Sequence, residues 1–98
     1  MHHLREAQKA VQEISKEYDE KKAYTSAFFI TLLTEQLGQV SEKYMHKGRE
    51  APEIEVDIAD LIVCSLAYLN WLGKDASDAF MKALEKHKTR LEALKTRA

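Results

Sequence analysis

The sequence predicts an all-α protein, a single four-helix domain over residues 1–98 with antiparallel neighbours, and three observations carry that expectation. Apolar residues recur every three or four positions through each long stretch, the spacing of a helix with one buried face. No run alternates apolar and polar residues with the period of two that a half-buried strand requires. The strongest breakers, Gly48, Pro52 and Gly73, fall between the periodic stretches.

The first helix is expected from Leu4 to about Lys22, with Leu4, Ala7, Val11, Ile14 and Tyr18 on its apolar face. His2 and His3 precede it and read as a disordered end. A second helix, capped by Thr25 or Ser26, runs to about His46 with Phe28, Phe29, Leu32, Leu33, Leu37, Val40 and Tyr44 as its buried stripe. Gln36 interrupts that stripe and Gln39 sits beside it, whereas Glu42 and Lys43 fall toward solvent. Gly38 lets another backbone approach, at a cost of about 1 kcal/mol in helix propensity.

His46 to Pro52 is a short charged loop in which Gly48 stops the second helix and Pro52 suits the first turn of the third. A loop this short makes the helices it joins antiparallel neighbours. The third helix, from about Glu53 to Leu72, becomes apolar almost all round after Leu61, so it needs cover on every side. Four helices cannot supply it all, and a second subunit is expected to contribute. Tyr68 and Trp71 suit either the core or such an interface. Gly73 ends this helix, and Asp75 with Asp78 starts the fourth, striped by Ala76, Ala79, Phe80, Ala83, Leu84, His87, Leu91 and Leu94. His87 reads as a core or rim histidine or as a ligand. The basic residues from Lys82 to Arg97 read as a solvated face that suits the helix dipole or as an anion-binding lip.

The formal net charge of −1 gives no field that favours nucleic acid or an anionic membrane. Cys64 is the only cysteine, which excludes an internal disulfide and a cysteine-rich zinc site, and its apolar neighbours make it a small buried hydrophobe. No stretch reaches the roughly 18 uninterrupted apolar residues of a membrane span, and the polar start has no signal-peptide pattern. A cytoplasmic location is the expectation.

Two polar pairs at helical spacing, Gln36 with Gln39 and Asp57 with Asp60, lie in otherwise apolar runs on facing helices. Each pair shares a face, so all four side chains can converge between the helices. A buried carboxylate needs a partner or a cation, although Asp57 is near enough to its helix start to be a surface acid that suits the dipole.

At these residues the chain resembles the MazG-like all-α nucleoside triphosphate pyrophosphohydrolases. Their signature is an E-x-x-E pair within L-x-E-E-x-G-E, followed by E-x-x-D within E-L-A-D-V-L. The corresponding runs here are Leu33-Thr34-Glu35-Gln36-Leu37-Gly38-Gln39 and Asp57-Ile58-Ala59-Asp60-Leu61-Ile62. The likeness extends through Leu72-Gly73-Lys74-Asp75, similar to an L-G-I-D turn, and into Lys86 to Arg90, similar to a K-x-N-x-x-R tail. It spans about Phe28 to Arg90.

The resemblance implies a MazG-like bundle, a homodimer or homotetramer, and magnesium-dependent hydrolysis of a nucleoside triphosphate to the monophosphate and pyrophosphate. It makes Gln36, Gln39, Asp57 and Asp60 the catalytic and metal-ligand set, and Lys86 and Arg90 the residues that bind substrate phosphate. The sequence departs from the family at both acids of the first pair, which are Gln36 and Gln39, at Asp57 in place of Glu, and at His87 in place of Asn. Two formal charges then stand where the family has four, and magnesium affinity falls with them. A second reading has the Gln36 and Gln39 amides donating hydrogen bonds to Asp57 and Asp60, in a non-catalytic nucleotide-binding or protein-interaction module of the same fold.

Overall fold

The structure, a computed structural model, describes residues 2–20 and 24–97, with side chains described at 3–16 and 24–96. Four helices follow one another: α1 (His2–Glu20), α2 (Ser26–Lys47), α3 (Ile54–Leu72) and α4 (Ala76–Arg97). A single 3-10 turn, Gly48–Glu50, lies between α2 and α3. There is no strand among the described residues, so the all-α expectation holds. The terminal His3 is helical, paired with Glu6 at 3.6 Å, rather than disordered.

Local chemistry sets the boundaries. Thr25 caps α2, its Oγ1 accepting from the Phe28 N–H at 3.0 Å. Gly48 ends α2 at φ 70, its N–H donating to the Tyr44 carbonyl. Pro52 lies ahead of the third helix and not in its first turn, because Glu53, at φ 59, takes the N-cap position. Gly73, at φ 72, closes α3: its N–H donates to the Asn70 carbonyl at 3.1 Å and the Lys74 N–H to the Leu69 carbonyl at 2.9 Å. Those two bonds form a Schellman motif. Asp75 then caps α4, accepting from the Asp78 N–H at 2.9 Å.

Helix α3 is the shared wall of two small cores. On one side Phe29, 1% exposed, stacks on Tyr68 with ring centroids 4.9 Å apart and an interplanar angle of 5°, and Trp71 lies 5.7 Å away. On the other side Val11, Leu66 and Ala76 are buried together, with Leu4 and Leu69 against them. The apolar girth of α3 therefore has a structural use on two flanks, and Tyr68 and Trp71 belong to the aromatic core. Trp71 remains 40% exposed.

The remaining expectations divide by helix. The buried face of α1 is Leu4, Gln8, Val11 and Ser15, so two polar residues replace the expected Ala7 and Ile14, which are exposed. The side chain of Tyr18 lies outside the described residues, as does Lys22. Gly38 admits no neighbouring backbone, since the space beyond its Cα is open. In α4 only Ala76 and Ala79 of the expected stripe find cover, and every residue from 81 to 96 is exposed, His87 included. The chain turns by 114° between α3 and α4, and only the first turn of α4 finds cover. Among the described residues no single helix is long and apolar enough to cross a membrane.

Candidate functional site

Antiparallel packing of α2 on α3 makes one continuous seam. Phe29 meets Tyr68 at its far end, and Lys43 meets Asp57 at the end near the loop. The register set by those contacts brings Gln36 level with the turn from Asp60 to Cys64. From α2 the half-buried seam residues are Leu33, Gln36, Val40 and Lys43, and from α3 they are Asp57, Asp60, Cys64 and Tyr68. Three of the four sequence-derived ligand candidates thus lie on the seam. Gln39 is exposed at its edge, where it lines an open cleft of about 460 Å³ with Asp57, Glu42, Lys43, His46 and Lys47.

Lys43 is the residue the sequence reading misplaced. Its Nζ lies 2.5 Å from Asp57 Oδ2, and the Asp57 side chain is only 14% exposed. Oδ2 is sealed from solvent and has no well-directed hydrogen bond, so the adjacent ammonium charge is what compensates it. The reciprocal effect holds the Lys43 pKa above its ordinary 10.5, chiefly through the close contact with Asp57, with Glu53 and Glu55 adding to it. Helical spacing from Val40 and Gln36 could have flagged Lys43 as a seam position, since it lies three and seven residues beyond them.

Gln36 Oε1 is also shut away from solvent, and it accepts no hydrogen bond. Among the described residues no hydrogen bond joins Gln36 or Gln39 to Asp57 or Asp60, so the direct amide-to-carboxylate network is not formed. Asp60 sits one turn before Cys64. Burial pushes the Cys64 thiol above its ordinary 9.0, and the Asp60 carboxylate raises it further. That thiol is held protonated, as the hydrophobe reading requires.

Magnesium demands a near-octahedral set of oxygens. Here the sealed oxygen of Asp57 already faces an ammonium group, and no three His, Cys, Asp or Glu side chains gather to hold a metal among the described residues. With Lys43 in this place the donor set does not fit a resident divalent ion. Lys86 and Arg90 are exposed on α4, and neither lines the cleft.

A second polar centre, unrelated to the seam, holds the α3–α4 turn. Gln8 is buried, its Nε2 donating to the Lys74 carbonyl at 2.7 Å while its Oε1 accepts from the Ala76 N–H at 2.8 Å. Asn70 Nδ2 donates to the Gln8 carbonyl at 3.0 Å. Outside this knot Arg5 pairs with Asp75 and Asp78, both at 3.4 Å. The Asp78 N–H, followed by Arg5, holds the Asp75 carboxyl below its ordinary 3.8. A depressed folded pKa contributes stability above the unfolded value and loses it as pH falls through the folded one. Thermal melts should therefore drop below about pH 4, and drop less steeply in Asp75→Asn.

No protein-family model, no curated protein and no solved structure matches the chain.

Proposed function

We propose that this chain is a non-catalytic module of MazG-like architecture that acts through binding, with the half-exposed Lys43 ammonium beside Asp57 where a pyrophosphohydrolase of that kind would hold magnesium. The observation that supports it is the Lys43–Asp57 pair on the α2–α3 seam. A divalent ion at Asp57 would have to displace that ammonium or sit beside it, with two further ligands that are neutral amides. Neither arrangement gives the charge that makes magnesium sites strong. A cytoplasmic location belongs to the same reading.

Impaired magnesium-dependent hydrolysis of a nucleoside triphosphate is the second reading, and Gln36 Oε1 favours it as a buried acceptor that lacks a donor. In that case Lys43 would have to swing out, Gln36, Gln39, Asp57 and Asp60 would hold the ion, and the nucleotide would occupy the cleft beside His46 and Lys47. Lys86 and Arg90 would then reach the phosphates from a second copy of the chain.

Pyrophosphate release from a panel of nucleoside triphosphates with magnesium separates the two. The parent should release none above background, while calorimetry should detect magnesium binding only in a variant carrying Gln36→Glu, Gln39→Glu and Lys43→Met. Magnesium-dependent turnover by the parent would overturn the non-catalytic reading.

A further inference from the structure

We infer that the exposed face of α4 docks an acidic amphipathic helix of a different protein, the two forming a mixed coiled coil in which the partner carries carboxylates beside its apolar row. The inference rests on the binding reading above and names the partner that reading leaves open.

The apolar residues of α4 form a heptad row. Phe80, Leu84, His87, Leu91 and Leu94 follow one another in steps of four, three, four and three residues, the a and d spacing of a coiled coil rather than the wider apolar face of a helix packed in a globule. Phe80, Leu84, Leu91 and Leu94 are 43–62% exposed, and every residue from 81 to 96 is open to solvent. A helix draws most of its stability from packing an amphipathic face, so the row is a contact surface that the chain itself does not use. His87 is the single polar residue within it, a feature that fixes register between paired helices.

Charge decides what covers the row. The flanking e and g positions from 81 to 95 are Met81, Lys88 and Lys95 along one edge and Ala83 and Arg90 along the other, so every charge there is positive. The acids of α4, Asp78, Glu85 and Glu92, repeat every seven residues on a line away from the row. Charges at e and g set partner choice. A second copy is disfavoured: a parallel pair brings Arg90 of one copy to Lys95 of the other, and an antiparallel pair sets lysine against lysine and arginine against arginine. Acidic residues at those positions of a different helix give opposite charges along both edges. An anionic lipid surface would meet the same charges, but a helix that lies in a membrane interface presents a broad apolar face. Here the row is one side chain wide at each level, and His87 breaks it.

The row also has a continuation at its start. The Phe80 ring lines an open apolar groove of about 460 Å³ along α3, with Leu61, Ile62, Leu66 and Leu69. A partner helix longer than the row can extend into that groove and gain apolar contact that two heptads alone lack.

Two synthetic three-heptad peptides with leucine at a and d provide the test, one with glutamate and the other with lysine at e and g, each followed by fluorescence anisotropy as the full chain is added. The glutamate peptide should bind, with an affinity that falls as salt rises, and the lysine peptide should not. Leu91→Ala should weaken binding about 10-fold, while Leu37→Ala, at an exposed apolar site on α2, should leave it intact. Lys88→Glu, Arg90→Glu and Lys95→Glu combined should reverse the preference between the peptides, and all three side chains are exposed, so the fold tolerates the change. Amides 84–96 should gain protection from hydrogen exchange in the complex. No binding of the glutamate peptide, equal binding of both peptides, or a triple variant that keeps the parent's preference would each overturn the inference. So would binding to phosphatidylserine vesicles in place of the glutamate peptide, which assigns the face to lipid, or protection of amides 84–96 on concentrating the parent alone, which assigns it to a second copy. Pyrophosphate release by a parent that binds the glutamate peptide would overturn the non-catalytic reading and leave this inference standing. A parent that neither releases pyrophosphate nor binds that peptide would overturn this inference alone.

Discussion

Phe29→Ala is expected to destabilise the protein by about 3–5 kcal/mol. Phe29 is the only large side chain fully buried among the described residues, and it joins α2 to α3 through Tyr68 and Trp71. Truncation removes the ring on which Tyr68 stacks and leaves a cavity that two long helices cannot close without shifting. In a domain of this size each kcal/mol moves the melting temperature by about 4–8 °C, so the midpoint should fall by at least about 12 °C. Phe29→Leu keeps most of the volume and should cost about 1–2 kcal/mol. Urea unfolding at a fixed protein concentration measures both, since self-association would make stability depend on concentration. A loss under about 1 kcal/mol for Phe29→Ala would show that the aromatic cluster is not what holds α2 on α3.

Helix number, order and breakpoints were legible because apolar periodicity and glycine chemistry are local. Gly48 and Gly73 end helices for the same reason in sequence and in structure: each takes a positive φ. Cover was less legible. Spacing identifies an apolar stripe but not what lies against it, so the stripe of α4 could be read from Phe80 to Leu94, while its exposure depends on which neighbours the fold sets beside it. Lys43 was misread for a related reason. Its charge argues for solvent, yet its position, seven residues after Gln36, places it on the seam, and a lysine stem can lie along apolar surface while the ammonium reaches a carboxylate. The four candidate ligands were legible as neighbours. Which cation faces Asp57 was not, because that depends on a rotamer.

The residue that sequence reading passed over altogether is Gln8, and its replacement carries the second large effect. Removing the amide in Gln8→Ala leaves the buried Ala76 N–H without an acceptor and the Lys74 carbonyl without its donor. An unmade buried hydrogen bond costs about 1–3 kcal/mol. Lys74 is exposed and its carbonyl can turn toward water, so the greater part of the loss falls on Ala76. With the packing of the side chain included, the total should be about 2–4 kcal/mol. Because Gln8 ties α1 to the start of α4, the loss should loosen the angle at which α4 leaves the body. Hydrogen exchange at residues 73–79 should therefore rise more than at the aromatic core. Gln8→Glu tests the assignment of the two ends of the amide. Its carboxylate still accepts from Ala76, at a helix N-terminus that favours negative charge, but it sets an oxygen against the Lys74 carbonyl. The variant should be less stable than the parent near neutral pH and recover as acid protonates the side chain and restores a donor, after allowance for the acid loss measured in the parent. If Gln8→Ala unfolds at the same urea concentration as the parent, the Gln8 amide has no part in aiming α4, and α1 holds the turn through Arg5 and the Asn70 bond to the Gln8 carbonyl.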